Sequence, residues 1–459
     1  RIYKVMIKVR FAPSPTGHLH IGNAKTALFK YLFARKNEGI FVLRLEDTDI
    51  ERSEARYERS IMDDLRWLGI SWDEGPYRQS ERSDMYRSYA KALLEKGLAY
   101  KCFCTEEELS AARHAQLAKS EPPRYSGKCA GLSKDAIAQL EDEGRPFTVR
   151  FRAGHIPIKF IDGIRGEMAF PRGHVDDFII LRNDSSPTYN LAVVIDDMLM
   201  GITHVIRGSD HISNTPKQIA LFSAFGSTPP QYAHHSLLIG ADHKPLSKRH
   251  GATRVIDFQE MGILRESLVN YLGTMGRNIP SGLMDLNELI RTFSLDSVSA
   301  SDNIFDMEKL LWFNREYIKT MPLGKLLDEA GLDPGCGIWI AAIRENAATV
   351  KELKDYLAIF EDAKVNDGAL SYLMKTKGAE EMAHAMKGVL TGKTVSFEEL
   401  VDALDRPADL KKKDVFMILR TFITGRKDGP PLKDIFPLVP RDIITRRIDN
   451  YLGRKSDEQ

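Results

Sequence analysis

The sequence predicts an α/β protein, in which a parallel-sheet domain carries an α+β insertion and is followed by an all-α C-terminal domain. Near the start, an alternating apolar run from Val5 to Phe11 enters a turn with two prolines, and helical spacing begins after Gly22. Residues 146–182 alternate apolar and polar positions as short strands do. The pattern from 326 to 459 is helical almost throughout. This order of elements gives the fold class.

The composition is that of a globular chain of about three domains, because 459 residues with 43% hydrophobic and 28% charged content can build several cores. With a net charge of +1, a nucleic-acid partner would be held by local basic patches and not by the field of the whole protein. No apolar run approaches the length of a membrane span, and no basic-then-apolar signal segment precedes Phe11. Four cysteines do not form a disulfide framework in so long a chain. We therefore expect a cytoplasmic protein without a membrane partner.

The turn that follows Phe11 predicts an anion-binding site. Free backbone N–H groups and the helix dipole converge where a strand, a Gly-containing turn and a helix N-terminus meet. His18 and His20 add two further donors at the same turn. The glycine spacing matches neither G-x-G-x-x-G nor the P-loop pattern, so neither of those two nucleotide sites is indicated.

The same turn resembles the first signature of class I aminoacyl-tRNA synthetases, which reads His20-Ile21-Gly22-Asn23 in this chain. With Arg10 and the run 12–17 upstream, the resemblance narrows to the bacterial-type glutamyl-tRNA synthetases. Asn23 replaces the last histidine of the generic signature, a departure that the glutamyl enzymes tolerate. The resemblance implies a Rossmann-type catalytic domain that uses ATP and Mg²⁺ to join L-glutamate to tRNA-Glu, in a protein that acts as a monomer.

An acidic cluster follows the predicted buried strand Phe41–Leu45. Ligands of open α/β sheets bind at the carboxyl ends of the strands, so a carboxylate there could hold the α-ammonium of an amino acid. Asp47 and Asp49 could instead cap the next helix. The resemblance assigns the ammonium contact to Glu46.

The chain has one cysteine cluster, formed by Cys102, Cys104 and Cys129, with Tyr125 four residues before the last of them. Two thiolates from one knuckle and one from a second suit tetrahedral zinc, and a tyrosine oxygen can complete the set as an unusual ligand. The arrangement resembles the zinc site of some bacterial glutamyl enzymes. Three reduced cysteines without a metal remain the alternative.

The turn around His20 is the first motif of this chain, and the acidic stretch after Leu45 is the second. A third motif, residues 243–251, places clustered cations on a loop that contains Gly and Pro. Such a loop suits a triphosphate whose charge grows during displacement at the α-phosphate. It resembles the KMSKS loop of the same family, with Lys248 at the position of the catalytic lysine. Pro245 occupies the position of the first lysine of that motif, and Lys244 is displaced by one.

The resemblance also assigns a role to each matching residue. It implies catalysis by His20, Asn23 and Lys248, and glutamate binding by Arg10, Ser14, Glu46, Tyr189 and Arg207. It implies ATP binding by Gly17, His20, Gly22, Asp210, Leu238, Ser247, Lys248 and Arg249. Arg10 and Arg207 suit substrate carboxylates because guanidinium groups bind them bidentately. Val193 stands where an amide side chain can help to hold the substrate, which leaves the grip of the pocket on glutamate open.

The resemblance divides the chain into five parts. These are 1–100, the first half of the catalytic domain; 101–185, an acceptor-end-binding insertion with the zinc site; 186–251, the second half of the catalytic domain; 252–325, a helical stem-contact domain; and 326–459, a helical anticodon-binding domain. The helical end favours the glutamyl type, because glutaminyl enzymes carry β-barrels there. Candidate phosphate contacts in the last part are Lys411–Lys413, Arg426, Arg446 and Arg447.

Three alternatives to this function remain, which differ in the tRNA used, in the reaction catalysed or in the absence of catalysis. An enzyme that also glutamylates tRNA-Gln would share every motif. Another H-x-G-H nucleotidyltransferase, making an adenylylated or cytidylylated small molecule, is disfavoured by the helical C-terminal third. A non-catalytic RNA-binding paralogue is disfavoured by the intact His20, Glu46 and Lys248.

Overall fold

A computed structural model describes residues 6–49, 52–154, 156–244, 246, 251–280, 282–392, 395–404 and 410–457. The chain forms two compact units. One contains residues 1–258 and 269–305, and the other contains residues 259–268 and 306–459. None of the described helices combines the length and the apolar character that a membrane crossing requires.

All of the described strands belong to the first unit. Their bounds are β1 (Lys8–Phe11), β2 (Ile40–Leu45), β3 (Glu74–Arg78), β4 (Ala99–Cys102), β5 (Thr148–Phe151), β6 (Ile158–Asp162), β7 (Gly166–Phe170), β8 (Phe178–Leu181), β9 (His204–Gly208), β10 (Gln231–His235), β11 (Leu238–Ile239) and β12 (Asn303–Ile304). The main sheet has the order β3-β2-β1-β9-β10-β6-β7, and its neighbouring strands are parallel except for the antiparallel pair β6–β7. β4, β5 and β8 form a separate antiparallel sheet.

The strand order places a topological switch point between β1 and β9. The chain runs from β1 outward to β2 and β3, and later returns to the other side of β1 with β9 and β10. At such a point the connections leave in opposite directions and open a crevice at the carboxyl ends of the strands. β1, β2, β9 and β10 therefore deliver their last residues to one edge of the sheet.

Strands β6 and β7 fall within 101–185, the range predicted as an insertion, yet both extend the main sheet. β6 pairs with β10 through Tyr232 and Asp162. The alternation in the sequence identifies these segments as strands, but it carries no information about which strand each one meets. The small sheet β4-β5-β8 and the two helices that follow β4 are the α+β insertion proper.

The helices up to residue 292 are α1 (Ile21–Lys36), α2 (Ala55–Trp67), α3 (Ser83–Glu95), α4 (Glu106–Ala118), α5 (Lys134–Asp142), α6 (Tyr189–Leu199), α7 (Thr215–Ala224), α8 (Val255–Glu260), α9 (Arg265–Thr274) and α10 (Leu286–Thr292). The first of them, α1, begins beside the crevice, and His20 is its N-cap. Its buried positions include Ala24, Ala27 and Leu28.

The second unit is helical in its described residues and has one large apolar core. Its helices are α11 (Met307–Thr320), α12 (Leu323–Ala330), α13 (Gly337–Ile343), α14 (Val350–Glu361), α15 (Asp367–Lys375), α16 (Ala379–Leu390), α17 (Phe397–Ala403), α18 (Lys412–Thr424), α19 (Leu432–Ile435) and α20 (Arg441–Asp457).

Arg447, one of the candidate phosphate contacts, is fully buried in this core, so that prediction is wrong. Its guanidinium donates to the carbonyls of Ile423, Ile359 and Asp362, which lie at the C-terminal ends of α18 and α14. Helix C-termini leave carbonyls without intrahelical donors, and a cation there also meets the negative end of each dipole. Arg447 is thus a structural residue that joins two helix ends.

Candidate active site

The crevice at the carboxyl ends of β1, β2 and β9 contains a cavity of about 730 Å³. The N-terminus of α1 forms one wall. The predicted site residues that line it are Arg10, Ser14, His20, Gly22, Asn23, Glu46, Tyr189, Arg207, Asp210 and Leu238. The structure therefore brings together residues that are as far apart in the chain as 10 and 238.

His20 presents a hydrogen-bond donor to this cavity. Its Nδ1 accepts from the backbone N–H of Gly22 at 3.2 Å, which leaves the ring proton on Nε2. Nε2 is buried and has no hydrogen-bond partner among the described residues. Burial lowers the pKa of His20, although Asp257 opposes the shift, and this favours the neutral ring. A neutral Nε2–H aimed into a cavity can donate to a phosphate oxygen without adding a charge.

The segment that follows the third motif is fastened to this turn. Ile21 N–H donates to the carbonyl of Thr253 at 2.8 Å, and Val255 N–H donates to the carbonyl of Leu19 at 3.0 Å. Leu246, within the third motif, lines the cavity. The predicted ATP contacts Ser247, Lys248 and Arg249 lie outside the described residues.

A buried network of charges supports the floor of the cavity. Arg10 Nε donates to both carboxylate oxygens of Asp197 at 3.0 and 3.2 Å, and Arg44 Nη1 donates to the same carboxylate at 2.7 Å. Burial opposes the charge on Asp197, but Arg10 and Arg44 outweigh it and lower the pKa of this carboxyl group. Asp197 thereby holds Arg10 through Nε, and its two Nη groups have no acceptor among the described residues.

Glu46 follows β2 directly and is largely buried against the same network, with 9% of its side chain exposed. Arg44 Nη2 donates to Glu46 Oε1 at 3.3 Å. Burial raises the pKa of Glu46, while Arg44 and Arg10 counteract the shift. An ammonium group in the cavity would complete the pairing of this carboxylate.

Arg207, at the end of β9, is oriented by two further buried side chains. Its Nε donates to His234 Nε2 at 3.1 Å and its Nη2 donates to Thr215 Oγ1 at 2.8 Å. His234 Nδ1 lies 2.5 Å from Asp162 Oδ2, which fixes the ring with its proton on Nδ1. Arg207 Nη1 is buried without a partner among the described residues, so one donor remains for a ligand.

Of four other residues singled out in the sequence, Tyr189 and Asp210 line the cavity, whereas Gly17 and Val193 do not. Tyr189 begins α6, and its hydroxyl lies 3.3 Å from His211 Nδ1. Asp210 is exposed, and its Oδ1 lies close to Gly208, where an added Cβ would come within 2.4 Å of it. Gly17 lies in the turn but is not among the residues that line the cavity. Val193 is buried within α6.

The predicted metal ligands meet at the edge of the small sheet, away from the cavity. The three thiols of Cys102, Cys104 and Cys129 all lie within 4.8 Å of one another. The Tyr125 hydroxyl oxygen lies 3.3 Å from Cys102 Sγ and 3.6 Å from Cys104 Sγ. Zn–S bonds of about 2.3 Å in a tetrahedron separate the sulfur atoms by roughly 3.7 Å. The Cys104–Cys129 separation of 3.6 Å fits that geometry.

Two protein families match this chain, one over the part that contains the sheet and the cavity and the other over the helical part. Residues 6–312 match the family described as tRNA synthetases class I (E and Q), catalytic domain, and residues 301–452 match an anticodon binding domain. The chain belongs to the class I tRNA synthetases of this E and Q family. The family predicted from the three motifs is thus confirmed.

Relatives within the synthetase family extend over the full chain. The glutamate–tRNA ligase of Carboxydothermus hydrogenoformans is 42% identical over 98% of this chain and 100% of its own. The glutamate–tRNA ligase of Aquifex aeolicus is 41% identical over 98% of this chain and 99% of its own. The crystal structure of a glutamate tRNA ligase from Elizabethkingia meningosepticum in complex with its amino acid superposes with a TM-score of 0.80 at 29% identity, covering 97% and 99%.

Several residues of this synthetase cavity were not identified from the sequence. They are Lys25, Thr26, Lys30, His211 and His235, which line it, and Arg44, Asp197 and His234, which lie behind it. A signal exists for some of them, because charged residues inside otherwise apolar runs are buried only when they are paired or aimed at a ligand. Arg44 in β2, Asp197 in α6 and Lys30 in α1 all meet that description.

Proposed function

We propose that this chain is a glutamate–tRNA ligase that activates L-glutamate with ATP and transfers it to the 3′ end of tRNA-Glu. The observation that supports this proposal most directly is the cavity. His20 Nε2 and Arg207 Nη1 have no partner among the described residues, and Arg10, which Asp197 holds through Nε, lines the same space as the Glu46 carboxylate. An amino acid with two carboxylates and one ammonium complements this set of charges.

The first step is attack of the glutamate α-carboxylate on the α-phosphate of ATP, with release of pyrophosphate and formation of an adenylate. Catalysis of such in-line phosphoryl chemistry is mainly positioning and charge stabilisation. His20 Nε2–H and Lys248 donate to phosphate oxygens, and Mg²⁺ enters with ATP. Asn23 lies beside His20 at the exposed start of α1. Ser14 and Tyr189 give orienting hydrogen bonds, and Glu46 accepts from the substrate ammonium.

The second step brings the tRNA acceptor end to the adenylate. The 3′-terminal ribose hydroxyl attacks the glutamyl carbonyl and releases AMP. The insertion within 101–185 holds the acceptor end, the helices of 252–325 contact the stem, and the helical part from 326 onward binds the anticodon. We expect the protein to act as a monomer in the cytoplasm.

The cysteine cluster binds one structural zinc ion in this proposal. Cys102, Cys104 and Cys129 supply thiolates and Tyr125 supplies an oxygen. Burial raises the pKa of Cys102, but its hydrogen-bond interactions with Tyr125, the Cys104 backbone and Arg150 outweigh burial and lower the pKa to about 7, which favours the thiolate that a metal requires. The ion would fasten residues 125–129 to the end of β4.

Charging of both purified tRNAs with labelled glutamate tests the function. We expect tRNA-Glu to be glutamylated, and the result with tRNA-Gln decides whether the enzyme discriminates between the two. The family resemblance also implies that glutamate-dependent pyrophosphate exchange needs tRNA. Robust exchange by the protein alone, with neither tRNA charged, would overturn the proposal in favour of a nucleotidyltransferase.

A further inference from the structure

Lys30 is a buried lysine on the wall of the cavity. It lies in α1, is 4% exposed and places Nζ 5.2 Å from the centre of the Phe11 ring. Among the described residues, no carboxylate forms an ion pair with it and no acceptor takes its hydrogen bonds. A buried ammonium group in that position is costly unless something else completes its charge.

The spacing along α1 aims Lys30 into the cavity. Asn23, Thr26 and Lys30 follow one another at intervals of three and four residues, and all three line the cavity. They form a polar stripe on a helix whose other positions are mainly apolar and buried. A stripe of this kind on a core helix faces a ligand space and not a neighbouring element.

The charged neighbours of Lys30 place it at the amino-acid end of the cavity. Arg10, Glu46, Arg207 and Asp197 are the groups whose charges act on it, whereas Asp257 is the group that acts on His20. Lys30 also stands ten residues after His20, about 15 Å along the helix axis. The reacting α-carboxylate must meet ATP near His20, so a group near Lys30 belongs to the far end of the substrate.

The balance of charge points the same way. Asp197 pairs with Arg10 and Arg44, whereas Lys30 and Arg207 form no ion pair with a carboxylate of the described residues. Burial, with Arg10 next in effect, lowers the pKa of Lys30 well below its ordinary value in the free protein. An incoming carboxylate would restore the ammonium form and pair with it.

We infer that Lys30 binds the side-chain carboxylate of the amino-acid substrate and, together with Arg10 and Arg207, selects glutamate over its uncharged amide. This inference rests on the proposed function. Glutamine has nearly the shape of glutamate but offers its side-chain NH₂ group where a cation needs an acceptor. A third cation at this end of the cavity thus increases the difference between the two substrates without any change in cavity size.

Steady-state kinetics of Lys30→Met with glutamate and with glutamine tests this role, after the wild-type protein has been shown to glutamylate tRNA. We expect the KM for glutamate to rise about tenfold or more and the ratio of glutamate to glutamine use to fall by a similar factor. kcat and the KM for ATP should stay within about twofold. Lys36→Met, an exposed lysine on the same helix, is the matched control and should change none of these values.

Lys30→Arg keeps the cation and should retain most of the preference for glutamate. If Lys30 has only a structural role, the expected result is different. Lys30→Met would then raise the melting temperature by removing a buried ammonium, while the KM for glutamate would stay unchanged. That outcome would overturn the inference and leave the proposed function standing. Failure of the wild-type protein to glutamylate tRNA would instead remove the proposed function.

Discussion

The backbone N–H of Ile21 donates a 2.8 Å hydrogen bond to the carbonyl of Thr253. This bond joins the turn of the first motif to the segment that leaves the third motif. A displacement of either segment would therefore move the other, so the position of His20 depends on the segment around Thr253. Ile21 and Thr253 are separated by more than two hundred residues in the chain, but this bond holds them together beside the cavity that His20 lines.

We expect Lys248→Ala to lower aminoacylation by about a hundredfold or more while tRNA binding stays nearly unchanged. A loop cation acts mainly on charge that develops in the transition state, so its loss affects the rate more than the ground-state complex. Lys244→Ala, on the exposed part of the same loop, should have a smaller effect. Near-normal turnover of purified Lys248→Ala would exclude Lys248 from the mechanism.

Arg10→Gln should remove most activity with glutamate and lower the ratio of glutamate to glutamine use. A guanidinium that faces the side-chain amide of glutamine meets one acceptor oxygen and one NH₂ group that cannot accept. An incompletely satisfied buried cation supports discrimination of roughly a thousandfold. The substitution also leaves Asp197 with Arg44 as its main cation, so the melting temperature should fall. The double variant Arg10→Gln/Asp197→Asn should regain stability but not discrimination. A wild-type preference in both variants would assign the side-chain contact to Arg207 instead.

The parts of this fold that the sequence predicts well are those with local signals. The strand, turn and helix of the first motif, the strand before Glu46 and the cysteine cluster each lie within a short stretch, and each is present as expected. The pairing of β6 with β10 could not be predicted, because it joins segments about seventy residues apart and depends on the sheet edge left free by the other strands.

The roles of buried charged residues are the second feature that could not be predicted from the sequence. Lys30 looks like one more polar residue on a helix, and Arg447 like one of several exposed basic residues near the C-terminus. What each does depends on tertiary neighbours, a ligand cavity for Lys30 and two helix ends for Arg447. Helical periodicity identifies the face of the helix on which a residue lies, but it does not identify the element or cavity that this face meets.

Protein purified without chelator should contain about one zinc per chain, as measured by elemental analysis. The four groups fit a tetrahedral site, and removal of the ion should lower the melting temperature because the segment around Cys129 would lose its attachment to β4. Cys129→Ser should lose the zinc, whereas Cys336→Ser, outside the cluster, should keep it. Active, freshly prepared enzyme without zinc would support three unliganded cysteines.

Arg447→Met should lower the free energy of unfolding of the second unit by about 3 kcal/mol, since several buried carbonyls would lose their donor. Gly425 should stay necessary in this variant, because it has a φ of +71° and an added Cβ would meet the backbone carbonyl oxygen of Lys364 at 2.5 Å. Arg446→Met is the matched control, because that side chain is 58% exposed and pairs with Asp442 on its own helix. Chemical denaturation should show a change within about 0.5 kcal/mol for the control. Equal stability of the two variants would contradict the structural role of Arg447.

Lys25 should make the free energy of unfolding depend on pH in the alkaline range. It is 1% exposed, its Nζ has no hydrogen-bond partner among the described residues, and burial lowers its pKa to about 8 despite the opposing charge of Asp302. The unfolded chain keeps the ordinary pKa of 10.5, so between about pH 8 and 10.5 the unfolded state binds more protons and stability rises with pH. Below pH 8 the folded protein carries the full cost of a buried ammonium, up to about 3 kcal/mol.

Lys25→Met should therefore be more stable than the wild type at pH 7, and the difference should shrink as the pH approaches 10.5. Denaturation at pH 7.0 and 9.5, with Lys36→Met as the exposed control, measures this change. A difference that stays constant across the two pH values would show that Lys25 is not charged against its surroundings in the folded protein.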